Sequence, residues 1–263
     1  MIKKIIPIIL TLVFVFVALF AGIHLIRELK ENKESADTYT DLEEYVHIPL
    51  VTTKSDTTDT SQSESGEKQA PSNDPEIDFD ALLSINPDCV GWIHIPDTGI
   101  SYPVVQGDDN SYYLKHMFDG KWNSSGCIFL DSRVSPSLSD RHSIIYGHHM
   151  KNGTMFSGLT KYKKQEYFEC HPTGMLITPD TVYRIEFFAG YVAGVKENAW
   201  NLGFQSDDDF EAWIKKSKEK SWIESPLSPA VTDRVLTLST CSYEFDNARF
   251  VLLGILTDEA HNP

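Results

Sequence analysis

The sequence predicts a mainly β fold, a barrel or sandwich with helices packed at its periphery. Three observations carry that prediction. Short β-prone runs recur between turn residues from Cys89 onward. One strongly amphipathic stretch interrupts them late. The composition of the 263-residue chain changes near Asp78, leaving ~185 residues that suffice for one substantial core.

Taken in order, the chain opens with two lysines in Met1 to Lys4. Ile5 to Ile26 then carries no acidic or basic group except His24. At 1.5 Å per residue that run spans ~33 Å against ~30 Å of hydrocarbon, enough to cross a bilayer as a helix. A cleaved signal peptide is the competing reading, but its apolar region is normally ~7–15 residues. Ala18-Leu19-Phe20 is no cleavage site either, so residues 5–26 read as an uncleaved membrane anchor. Arg27, Lys30 and Lys33 after the span compete with Lys3 and Lys4 before it, and charge alone leaves the orientation open. Residues 27–77, most densely VTTKSDTTDTSQSESGEKQAPSND, are too polar to offset the entropy of ordering them. They read as a flexible stalk, with a short patch from Leu42 to Val51 that fits helix or strand.

The folded domain covers 78–258. Phe79, Leu82, Leu83 and Ile85 form one or two helical turns ended by Asn86-Pro87. The β-like runs are Cys89 to Ile95, Ile100 to Gln106, Cys127 to Asp131, Ser143 to Tyr146, Met175 to Thr178 and Tyr183 to Ala193. Pro179-Asp180 makes a hairpin turn between the last two. Short connections predict antiparallel pairing. Ser206 with Asp209 three residues on starts a helix in capping-box fashion, and Phe210, Trp213, Ile214 and Ser217 give it one apolar face. Val235 to Cys241 and Arg249 to Leu256 supply the final strands.

The formal net charge of −15 argues against nucleic-acid binding, which needs clustered Lys and Arg to neutralise phosphates. The four cysteines are Cys89, Cys127, Cys170 and Cys241. With no CxxC pair, a zinc or thioredoxin-like site finds no support, and no cofactor is expected. Disulfides remain open in an extracellular setting. Cys89, Cys127 and Cys170 otherwise read as small buried apolar residues.

Chemistry concentrates at strand ends. Val235, Thr237, Ser239 and Cys241 share one face of their strand, and Leu236, Leu238 and Thr240 the other. Arg249 opens the next strand. A thiol becomes a useful nucleophile when a neighbour takes its proton. Among nine histidines, His148 stands out because it closes the run Ile144-Ile145-Tyr146-Gly147; His149 reads as a polar neighbour. A packed core thiol and a structural histidine are the bland alternatives, and the combination of Cys, His and Arg at three strand ends weighs against them.

Thr237-Leu238-Ser239-Thr240-Cys241 with Arg249, and Tyr146-Gly147-His148, resemble the signature of sortases. Val90-Gly91-Trp92-Ile93, Tyr102-Pro103-Val104-Val105-Gln106 and Asn110-Ser111-Tyr112-Tyr113-Leu114 resemble class B members. The resemblance implies an eight-stranded β-barrel with an N-terminal helix and a helix before the last two strands. It further implies an extracellular domain with a cytoplasmic N-terminus (residues 1–4). The implied reaction is transpeptidation: Cys241 attacks a sorting-signal peptide of a surface protein, and the acyl group passes to a peptidoglycan amine. His148 would serve as general acid and base, and Arg249 would hold the oxyanion or substrate backbone, helped by a backbone N–H near Cys241. Ser239, Thr240, Asn110 and Leu114 would contact substrate. Family members can carry an acidic residue after the cysteine; here Ser242 takes that place and Glu244 follows two later. Competing readings are a membrane-tethered cysteine hydrolase, a pilus-polymerising sortase and a stalked binding module with a structural Cys241. The lack of an obvious lid segment favours wall attachment over pilus assembly.

Overall fold

The computed structural model describes residues 2–49 and 75–259, with the backbone alone for residues 2–9. The polar stretch 50–74, the densest part of the expected stalk, lies outside the described residues.

Helix α1 runs unbroken over Ile2–Leu42. From Leu10 to Ile26 it shows apolar side chains to the surroundings, Phe14, Phe16 and Phe20 among them. The expectation of a flexible stalk from Arg27 onward is corrected by its second half, which is helical and docked. The cause is a stripe at i, i+4 and i+7: Ser35, Tyr39 and Leu42 are all buried. Tyr39 meets the Tyr102 ring edge to face at 5.3 Å, and its hydroxyl donates to the Gly126 carbonyl at 2.7 Å. A 3-10 turn, Glu43–Tyr45, leads into β1 (Val46–His47), which pairs antiparallel with β2 (Glu76–Ile77). Helix α2 (Phe79–Ile85) is capped by Asp78, whose carboxylate accepts from the Ala81 amide at 2.9 Å. It stops before Pro87, whose ring disfavours helix at the preceding residue.

Eight strands then close a barrel: β3 (Cys89–Ile95), β4 (Ile100–Val105), β5 (Ile128–Leu130), β6 (His142–Tyr146), β7 (Thr173–Ile177), β8 (Val182–Gly194), β9 (Arg234–Cys241) and β10 (Ala248–Asp258). The order around it is β10-β8-β7-β3-β4-β5-β6-β9, with β9 returning to β10. Two pairings depart from the antiparallel expectation. β4 pairs with β5, and β6 with β9, in parallel. Neither pair has a short link: the first is joined by the long excursion 106–127, and the second by everything from β7 to β8 and beyond.

Both faces of the last strands are covered, which explains their continuous apolar runs. Phe187, Leu236, Leu238, Phe250 and Leu252 fill the barrel interior. Phe188, Val235, Val251 and Leu253 face outward onto α4 (Asp207–Lys220), which meets them with Phe210, Trp213 and Ile214. Ser206 caps that helix by accepting from the Asp209 amide at 3.1 Å. A short α3 (Gln165–Cys170) precedes β7. It carries Cys170 to the surface, against the expectation of burial, whereas Cys89 and Cys127 are buried; all four cysteines are free thiols.

One buried polar link ties β6 to β9. His142 donates from Nδ1 to the Asn201 carbonyl at 2.7 Å, and its Nε2 accepts from the Thr237 hydroxyl at 2.8 Å. Burial lowers its pKa from the ordinary 6.5 to about 4, although the Asn201 carbonyl pulls the other way. Between those values the unfolded chain takes up a proton that the folded chain refuses. Stability is therefore complete above pH 6.5 and falls as pH drops towards 4, by up to ~3 kcal/mol. Chemical denaturation of the detergent-solubilised chain across that window measures the slope. His142→Gln should flatten it; an equal slope in both proteins would contradict this account.

Candidate active site

The parallel register of β6 on β9 sets Tyr146 opposite Ser239, and the Gly147 amide continues the ladder by donating to the Ser239 carbonyl at 3.1 Å. Both strands thus end on the same side of the barrel, and the next step carries His148 to the level of Cys241. On the other flank of β9, the antiparallel register of β10 sets Arg249 directly opposite Cys241. Gly147 is needed for space: a Cβ there would lie 2.7 Å from the Phe156 ring.

These strand ends open on a cavity of about 420 Å³. Cys241, His148, Arg249, Ser239, Thr240, Asn110 and Leu114, all singled out from sequence, line it together. Phe129, Tyr146, Val195 and Trp200 complete the wall. Cys241 is half-buried. Arg249 donates to the Ala248 carbonyl at 3.0 Å, and no carboxylate forms an ion pair with it among the described residues. Its charge is available to an anion in the cavity.

His148 is oriented by a loop far away in sequence. Its Nε2 donates to the Leu114 carbonyl at 2.8 Å, which leaves Nδ1, without a hydrogen-bond partner among the described residues, as the ring nitrogen open to proton exchange. Leu114 closes a 3-10 turn (Tyr112–Leu114) whose start is fixed by Asp109, the carboxylate accepting from the Ser111 and Tyr112 amides at 2.6 and 2.9 Å. Against the far side of Leu114 lies Gly126, with φ +60° and no room for a side chain, since a Cβ would sit 2.5 Å from the Tyr113 oxygen and 2.9 Å from that of Leu114. The Gly126 carbonyl is the one that Tyr39 of α1 holds. Leu114 thus contributes its backbone as much as its half-exposed side chain.

Asn110 is rigid for a different reason. The Asp131 carboxylate is fully buried and accepts from Arg133 at 2.8 and 2.6 Å and from the Tyr146 hydroxyl at 2.9 Å. Burial alone would raise its pKa; the bonds from Arg133, Asn110 and Tyr146 outweigh it and hold the group at about 2. Asn110 also accepts from the Ser132 amide at 2.8 Å. Asp131 sits at the end of a β-like run in the sequence, but nothing local marks it as the brace of Asn110 and Tyr146.

Other expectations shift in detail. The Ser239 hydroxyl is buried and accepts from the Trp200 indole at 3.1 Å, a partner on the segment after β8 that no motif announces. The Thr240 hydroxyl is buried without a hydrogen-bond partner among the described residues. The Ser242 amide, the nearest N–H beyond Cys241, donates to the Ala248 carbonyl at 3.0 Å and is not free to form an oxyanion hole. His149, read as a polar neighbour, donates from Nδ1 to the Cys241 carbonyl at 3.1 Å. Glu244 is tied to Lys163 and accepts from the Ser242 hydroxyl at 2.5 Å. Partial burial would raise its pKa, and those two partners bring it down to about 2.

A closed eight-stranded barrel with a thiol, an imidazole and a guanidinium free of carboxylates at one rim defines a class of thiol-dependent acyl-transfer enzyme. Residues 93–256 match the family model described as "Sortase domain". The chain is 35% identical over 249 residues to "Sortase B" of Listeria monocytogenes, covering 94% of this chain and 95% of that protein. Its fold overlays the Staphylococcus aureus sortase B–substrate complex with a TM-score of 0.66 at 33% identity, over 69% of this chain and 85% of that one. A sortase B complexed with triglycine gives a TM-score of 0.66 at 34% identity, over 69% and 86%. The chain belongs to the sortase family, within its class B, and is a cysteine transpeptidase.

Because Gly126 backs the carbonyl that orients His148, Gly126→Ala is expected to cut turnover at least tenfold while Cys241 still forms a thioester with an activated thioester substrate, which needs no proton on its leaving group. Steady-state kinetics on peptide and thioester substrates separate the two; equal losses on both would point to global misfolding instead.

Proposed function

We propose that this protein is a membrane-anchored sortase that cleaves the C-terminal sorting signal of surface proteins and transfers the acyl group to an amine of the cell wall. The observation that carries the reading is Arg249 directly opposite Cys241, with His148 brought to the same rim by the parallel strand.

In the first half-reaction the Cys241 thiol passes its proton to His148 and its sulfur attacks the carbonyl carbon of the scissile peptide bond. Negative charge gathers on the carbonyl oxygen, where the Arg249 guanidinium, free of any carboxylate among the described residues, supplies donors and a fixed positive charge. As the C–N bond breaks, His148 gives a proton to the departing amine and a thioester remains. In the second half-reaction His148 removes a proton from the incoming amine, which attacks the thioester and expels Cys241. With Nε2–H held on the Leu114 carbonyl, both proton transfers in this reading pass through Nδ1. Ser239, Thr240, Asn110 and Leu114 form the walls along which the peptide lies. That a relative is known in complex with triglycine supports a primary amine as the acceptor.

Residues 5–26 serve as the anchor, residues 1–4 face the cytoplasm and residues 78–258 form the extracellular catalytic domain. Support comes from α1, in which no residue from Leu10 to Ile26 is buried by the rest of the chain.

The test incubates the full-length protein in detergent with sorting-motif peptides, with and without triglycine, and follows products by mass spectrometry. A triglycine adduct and a Cys241-dependent thioester are expected. Release of free acid only, unchanged by any amine, would sink the transferase reading in favour of a hydrolase. Arg249→Ala should lower kcat/KM by ~10²–10³, the usual loss on removing an oxyanion donor, and Arg249→Lys should restore only part of it because ammonium lacks the planar fork.

A further inference from the structure

Helix α1 and the loop that ends in Gly126 meet as a ladder. Arg27 lies over the Trp122 ring at 5.1 Å. The Glu31 carbonyl accepts from the Asn123 side chain at 2.9 Å, and its carboxylate from the Ser124 hydroxyl at 2.7 Å. The Ser125 hydroxyl donates to Ser35 at 2.8 Å, and Tyr39 donates to Gly126. Each rung moves up the helix by about one turn, so residues 122 to 126 climb α1 in order. Trp122 is the lowest rung, level with Arg27 and so one residue beyond the apolar run that ends at Ile26. There it is 48% exposed although large and apolar.

Beside it, His24, Met150 and Lys151 border a groove of about 410 Å³ between α1 and the barrel, together with Glu28 and the Arg27–Glu31 ion pair. Lys121, three-quarters exposed, flanks it. From this placement we propose that the catalytic domain sits directly on the lipid surface, with Trp122 inserted among headgroups and upper acyl chains and with Lys151 against lipid phosphates. Lipid is the occupant because the groove is continuous with the bare apolar half of α1. A half-exposed indole with an apolar body and one N–H belongs at a membrane boundary. No flexible linker separates span from domain, since α1 is one helix through Leu42, so the rigid ladder holds the domain at this height. The inference rests on residues 5–26 crossing the bilayer.

The test reconstitutes full-length protein into vesicles of phosphatidylcholine and phosphatidylglycerol carrying bromine either high or deep in the acyl chain. Flotation first establishes anchoring. Trp122 is one of five tryptophans, so shallow bromines should quench a component, up to about one fifth of the emission, that Trp122→Phe removes and deep bromines reach less. Flotation with identical quenching of the two proteins would overturn the lipid seat while leaving the anchor intact. If that result came with concentration-dependent cross-linking through position 122, a second copy covers the surface instead. Failure to float overturns the anchor, and the seat with it.

Discussion

The parallel pairing of β6 with β9 is the constraint on which the site depends. In an antiparallel pair, the strand that ends in Cys241 would meet the beginning of the one that ends in His148, and the two groups would stand at opposite rims. Parallel strands end together, so a histidine just beyond Tyr146 and a cysteine two residues beyond Ser239 share one rim. The antiparallel β9–β10 pair then does the complementary task, because Arg249 starts its strand where Cys241 ends its own. Parallel pairing requires a long return path, and that path builds β7, β8 and α4. The same excursions supply Trp200 and Val195 to the cavity wall.

Rigidity at this rim comes from buried polar groups rather than from apolar packing. Asp131 is an ionised carboxylate with no exposure, a costly arrangement unless every lone pair is used. Arg133, Tyr146 and the backbone of Arg133 use them. His142 repeats the logic in neutral form between Thr237 and Asn201. On the opposite side of Cys241, Lys163, Ser242 and Glu244 form a closed cluster in which each charge has a partner. Arg249 stands out against these neighbours as a cation that no carboxylate pairs among the described residues.

Period and punctuation made most of the fold legible in the sequence. The strand runs fell within a few residues of the observed ones, and the Ser206 cap and the Phe210–Trp213–Ile214 face appear as read. Strand ends marked by Gly147 and by the turn before Arg249 were enough to single out three residues that the fold brings to one cavity. What local pattern could not carry was strand direction, since a parallel neighbour is chosen by the whole barrel. Nor could it show braces that act through backbone atoms. The Leu114 carbonyl and Gly126 hold His148 by position, and no side-chain type records that. The helical character of residues 27–42 was written in Ser35, Tyr39 and Leu42, but a charged, serine-bearing surround masked the stripe.

Helix α1 is therefore part of the scaffold of this rim. His148 is held from one side by the loop 113–126, through Leu114, and that loop is bonded to α1 at each rung from Asn123 to Gly126. From the other side it is held by the segment that follows it, where the His148 carbonyl accepts from the Phe156 amide at 3.0 Å and Asn152 reaches Asn32 of α1. Both supports of this one residue, ring and backbone, thus lean on the same helix. A displacement of α1 by one turn would move both together, whereas loosening the loop would free the ring and loosening the segment would free the backbone that carries it. The helix that docks on the loop of Leu114 thus also takes part in fixing the imidazole at the rim where Cys241 lies.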